Sequence, residues 1–149
     1  MTNIFDIADW FLSKESMQHK KLQKLCYYYV AWGYALYNKK LVENDEFQAW
    51  VHGPVSKELY DKYKNYGWQY IPIKEFNKQL DPDEFDLLGS IWMTYGDMSG
   101  NELEALTHTE LPWISARAGL GDYDLSNNVV DVNIMKEYYS KIYEANQGE

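Results

Sequence analysis

The chain is poor in the residues that usually carry chemistry. Its 149 positions hold one cysteine, Cys26, one arginine, Arg117, three histidines and four prolines. A lone cysteine excludes an internal disulfide and a thiolate metal cluster, and it fits a reducing compartment. With 14 basic residues against 23 acidic ones, the charge argues against a general affinity for nucleic acid. Such affinity needs cations that neutralise phosphates. No apolar run of about 18 residues occurs, so no membrane span is expected. Met1-Thr2-Asn3-Ile4-Phe5-Asp6 lacks the positive start and apolar stretch of a signal peptide. Together these absences predict a cytoplasmic protein. The nine glycines are scattered and form no phosphate-cradling loop, and no Gly-x-Ser-x-Gly turn exists.

Aromatic residues are abundant, with 14 tyrosines and 6 tryptophans. Their rings supply large contact area at low entropy cost, which suits both a packed core and a recognition surface. A chain of this length buries roughly 70% of its unfolded surface and needs no staple, so one domain over 1–149 is expected. The charge is uneven. Residues 1–75 carry ten lysines against nine acidic residues, whereas residues 76–149 carry three lysines and Arg117 against fourteen. The acidic half favours a basic protein partner over nucleic acid, or simply serves solubility.

Periodicity and punctuation predict a mainly α fold: a single compact helical domain of about six to seven helices with one short β-hairpin or extended segment. Asn3 caps a helix from Ile4 to about Ser13. A long helix follows from about Met17 to Tyr37, with Leu22, Leu25, Cys26, Tyr29, Trp32, Gly33 and Leu36 facing inward. Gly33 predicts a close helix–helix contact. Phe47 to Val51 alternates like a strand, Gly53-Pro54 breaks it, and Ser56 caps a helix that Gly67 ends. Tyr70 to Ile73 reads as a second short strand or an extended loop. Asp81-Pro82-Asp83-Glu84 and Ser99-Gly100-Asn101-Glu102 open two further helices. Pro112 starts a short one with Trp113, Ala116 and Leu120 inward. A polar loop spans residues 119–128, and Asp131 caps the last helix.

Three segments gather what chemistry there is: residues 22–28, residues 50–55, and residues 107–113 with Arg117. Cys26 lies on an apolar helical stripe, where a cysteine is normally a small hydrophobe. His108 and Glu110 are two apart and point to different sides of a helix, which is poor ligand spacing, so no metal and no cofactor are expected. The cluster His19, Lys20, Lys21 and Lys24 reads as a solvated helix face. Enzymatic use of His52, His108, Glu110 and Arg117 ranks last, and no catalytic residue is assigned.

Taken together the segments resemble a known family. Leu22-Gln23-Lys24-Leu25-Cys26-Tyr27-Tyr28 with Trp32 begins the likeness. Phe47-x-Ala49-Trp50-x-His52-Gly53-Pro54-Val55 and Tyr60-x-x-Tyr63-x-x-Tyr66-Gly67 continue it. Tyr95-Gly96, Ser99, Leu103 and Leu106-Thr107-His108-x-Glu110-x-Pro112-Trp113-x-x-Ala116-Arg117 follow. Asn133-Ile134-Met135 with Tyr138-Tyr139 closes it. This collinear set, from about Met17 to Tyr139, resembles the Panacea domain, the SocA-like antitoxin or phage-associated protein family. The resemblance implies a bacterial or prophage protein that neutralises a cognate toxin, encoded next door, by direct protein–protein binding. It leaves no room in this chain for the DNA-binding segment that some relatives carry. The alternative is a phage interaction protein that binds a host protein or mimics nucleic acid; a homo-oligomer stays open. Trp50, Gly53, Pro54, His108, Glu110, Pro112, Trp113 and Arg117 are expected to be structural. Partner contact is expected at Tyr27, Tyr28 and Tyr34, as exposed aromatics on the long helix, and at the turn around His52.

Overall fold

The computed structural model describes residues 1–147 and is mainly α. Its centre is α2 (His19–Tyr37), surrounded by α1 (Ile4–Lys14), α4 (Pro82–Tyr95), α5 (Gly100–His108) and α7 (Val132–Gln147). α3 (Lys57–Tyr63) and α6 (Leu111–Ala116) complete seven α-helices among the described residues. A helix enclosed on all sides buries more than one stripe. Every residue from Lys21 to Ala31 is accordingly buried. Leu36, expected to face inward, is exposed.

Local chemistry explains the helix ends. Asn3 and Asp6 form a reciprocal capping box at the start of α1, as do Ser99 and Glu102 at the start of α5. Ser56 accepts from the Leu59 N–H and caps α3. Asp131 accepts from the Asn133 N–H, 2.7 Å away, at the start of α7. Asp81 makes no side-chain cap at α4, where Pro82 occupies the first turn. α3 tightens into a 3-10 turn at residues 64–66 before Gly67.

Among the described residues two small antiparallel sheets are present, one more than the sequence predicts. β2 (Gln48–Trp50) falls in the expected strand, but its partner is β3 (Gly53–Val55), with Ala49 opposite Pro54 and Trp50 opposite Gly53. The hairpin thus includes Gly53-Pro54, which the sequence suggests as its break. Val129 bridges antiparallel to Gln48. β1 (Met17–Gln18) pairs with β4 (Tyr70–Ile71). Met17 and Gln18 are therefore extended, and the long helix starts two residues later than its apolar pattern indicates. Leu120 lies past the end of α6 and is exposed rather than part of its inner face.

At Gly33 the tightest neighbour is not a helix but Leu41, past the end of α2: an added Cβ would come within 2.9 Å of its Cδ1, and 3.7 Å from Leu87 Cδ2 on α4. The core is dense in rings. Tyr28 stacks on Tyr95 with centroids 4.0 Å apart and planes at 10°, and Tyr27 meets Phe47 edge to face.

Candidate functional site

The three chemistry-rich segments converge on the β2–β3 hairpin. Three of its backbone carbonyls receive a side-chain donor from another element. Arg117, one residue past α6, donates from Nη1 to the Ala49 carbonyl at 3.0 Å. Trp113 Nε1 on α6 donates to the Trp50 carbonyl at 2.8 Å. His108 ends α5 beside the hairpin turn, and its buried Nε2 has no hydrogen-bond partner among the described residues. Lys24 Nζ on α2 donates to the Pro54 carbonyl at 3.1 Å. Gln23 then clasps Ser56 twice, donating to its carbonyl and accepting from its N–H. Buried backbone groups need partners, and here long side chains supply what a wider sheet would provide.

Packing ties these donors together. His108 stacks on Trp113 at 4.0 Å and 17°, and the Arg117 guanidinium sits 5.3 Å from the same ring centre. Trp50 meets Tyr60 edge to face and donates to Gln48. Gly53 has φ +112°, a region closed to most side chains, and a Cβ there would meet Lys24 Cε at 2.6 Å. A glycine is therefore required where the lysine stem passes. Pro54 and Pro112 are buried, Pro54 in β3 and Pro112 in the first turn of α6.

Glu110 occupies a second centre. It is the residue before α6, and its buried Oε1 accepts from Tyr28 at 2.8 Å and Tyr139 at 2.7 Å. The Tyr139 and Tyr27 hydroxyls lie 3.2 Å apart. This network joins α2, α6 and α7. Burial raises the Glu110 pKa, while the two tyrosine hydroxyls oppose that rise. Tyr139 and Gln23 were not singled out as functional from the sequence. No local spacing announces either role, because both depend on contacts made across the fold.

The remaining titratable groups are also shaped by burial. Burial pushes Lys24 down to about 7; nearby Glu104 opposes this and Lys20 reinforces it. Burial lowers His108, and the charges of Lys24 and His52 add to that, against Glu104. Burial drives the Cys26 thiol well up, so the nucleophilic thiolate is disfavoured.

The expected solvated face on α2 is corrected. Lys24 is enclosed, Lys21 is buried and donates to the Gly96 carbonyl and Glu15, and Lys20 pairs with Glu104 at 2.6 Å. The exposed aromatics expected on α2 are corrected as well. Tyr27 and Tyr28 are buried because α7 and α4 cover that part of α2, and their rings pack on Tyr139 and Tyr95. Tyr34 is half-buried and donates to Asp45. His52 is exposed at the hairpin tip, with Nδ1 3.0 Å from Glu104 Oε2.

Chemically, this arrangement braces backbone. The polar groups of Arg117 and Glu110 engage carbonyls and tyrosines, not each other or a histidine. Among the described residues no group of three or more His, Cys, Asp or Glu could hold a metal ion, and no helix is long and apolar enough to cross a membrane.

A family model described as antitoxin SocA-like, Panacea domain, matches residues 22–114. The match runs from the start of the Leu22–Tyr28 segment through Trp113. Among curated proteins and solved structures, none matches the chain.

Proposed function

Since the chain belongs to the antitoxin SocA-like, Panacea domain family, we propose that it neutralises a toxin protein by direct protein–protein binding, as one half of a bacterial or prophage toxin–antitoxin pair. The family match over residues 22–114 carries this reading. In it the chain acts as one cytoplasmic domain over 1–149, without catalysis or cofactor. Trp50, Gly53, Pro54, His108, Pro112, Trp113 and Arg117 build and brace the hairpin, and Glu110 joins three helices. The catalytic alternative asks His52, His108, Glu110 and Arg117 to act together. The hydrogen bonds of His52, Arg117 and Glu110 instead lead to Glu104, to hairpin and loop carbonyls, and to two tyrosines.

The test is co-expression with the product of the neighbouring gene. That product is expected to arrest growth alone, to be silenced by this chain, and to co-purify with it. A harmless neighbour that never co-purifies rejects the reading.

A further inference from the structure

The hairpin tip faces the loop between α6 and α7 across a groove of about 570 Å³. Trp50, Val51, His52 and Val55 line one side, and Leu125 lines the other. That loop displays large apolar side chains to solvent: Leu125 is 92% exposed and Tyr123 is 86% exposed. The backbone beneath them is pinned. Arg117 Nη2 donates to the Gly121 and Asp124 carbonyls, at 3.0 and 2.8 Å. The Gly121 N–H donates to the Asp124 carboxylate, and Asn128 Nδ2 donates to the Ala116 carbonyl. Apolar groups presented on a held backbone have little ordering entropy left to lose on binding.

Charge selects the occupant. The loop carries Asp122, Asp124 and Asp131, and no lysine or arginine lies between Arg117 and Lys136. Arg117 is itself buried beneath the loop, with its hydrogen bonds spent on backbone carbonyls. Across the groove His52 is paired with Glu104. An apolar groove bounded by an acidic loop complements an apolar side chain flanked by cations.

We propose that this groove docks a basic segment of the partner protein. An apolar side chain of the partner enters between the hairpin tip and Leu125, and its lysine or arginine neighbours face Asp122 and Asp124. The proposal rests on the protein-binding reading above and adds to it a location and a partner chemistry.

The full chain is titrated with the purified neighbouring-gene product. Leu125→Ser and Asp122→Lys are each expected to weaken binding about tenfold or more, the scale of an interface hot spot, with unchanged melting temperature. Asp122→Lys is also expected to reduce the salt dependence of binding. Met93→Ser, at an 86%-exposed residue of α4, is the control and is expected to bind as wild type. Wild-type affinity in both groove variants overturns the docking site and leaves the antitoxin reading standing. If the wild-type chain binds no neighbour product, the antitoxin reading fails and displayed random peptides of about 12 residues, selected on the full chain, decide the site. Selected peptides that combine an apolar residue with lysine or arginine, and that shift the amide resonances of Val51, His52 and Leu125, support it. Acidic peptides, shifts centred elsewhere, failure to select any peptide, an RNA oligonucleotide held in the groove, or a self-dimer abolished by Leu125→Ser overturn it.

Discussion

At the scale of single residues, buried polar groups carry the account. Glu110 accepts from two tyrosine hydroxyls that have no route to water. Glu110→Ala leaves the Tyr28 hydroxyl unmatched and Tyr139 with only the Tyr27 hydroxyl, and is expected to cost about 2–4 kcal/mol in urea unfolding. Glu110→Gln keeps an acceptor oxygen and is expected to cost less. The Glu110 pKa is raised in the folded state, so the native chain holds its proton more tightly than the unfolded chain. This group therefore withdraws stability as pH rises above its unfolded value of about 4.3 and up through its folded one. Glu110→Gln removes that withdrawal, and comparing the pH profiles of the two proteins checks it. Lys24 has the opposite slope. With its folded value near 7 and a lysine in the unfolded chain near 10.4, the unfolded state binds more protons between them, and stability gains with pH across that window. Cys26 and the buried tyrosines pull the other way at the alkaline end, so the readout is the difference between wild type and Lys24→Met. The wild type is expected to gain on the variant from pH 7 to about 9. Neither burial was legible in the sequence. Lys24 reads as one of a basic cluster, and only the hairpin folding over it makes it interior.

At the scale of elements, the hairpin is the feature that the other segments serve. Two three-residue strands cannot hold themselves in water. Arg117, Trp113 and Lys24 supply backbone partners, and the Asn128 and Phe47 carbonyls accept from the Ala49 and Val130 N–H groups at 2.8 Å. Arg117→Lys keeps the charge but loses the planar fork that reaches Ala49, Gly121 and Asp124 together. It is expected to cost about 2–4 kcal/mol and to speed hydrogen exchange at Ala49 and Val130 before other core amides. Element positions were largely readable, because caps such as Asn3, Ser56, Ser99 and Asp131 act locally. The β1–β4 pair was not, because Met17 and Gln18 continue an apolar helical pattern and become extended only by pairing with Tyr70 and Ile71. The burial of Tyr27 and Tyr28 was hidden for the same reason. A helix wrapped on all sides has no polar stripe to mark an exposed face.

At the scale of the whole molecule, Arg117 and Glu110 bond to carbonyls and tyrosine hydroxyls of the interior, and much of the acidic charge is left at the surface. Asp122 and Asp131 are exposed on the α6–α7 loop, and Asp81, Asp83 and Asp86 on or beside α4. This division fits a scaffold that works by presenting a surface. The family was legible because its residues recur in fixed order across the chain; the face that meets a partner was not, since it depends on which rings remain outside after folding. The most direct measurement is calorimetric titration of the neighbouring-gene product into the purified chain, paired with a growth assay of the same two proteins. Saturable binding at a fixed stoichiometry, with growth restored at that ratio, is the predicted result. Toxicity that persists with no heat of binding would contradict it.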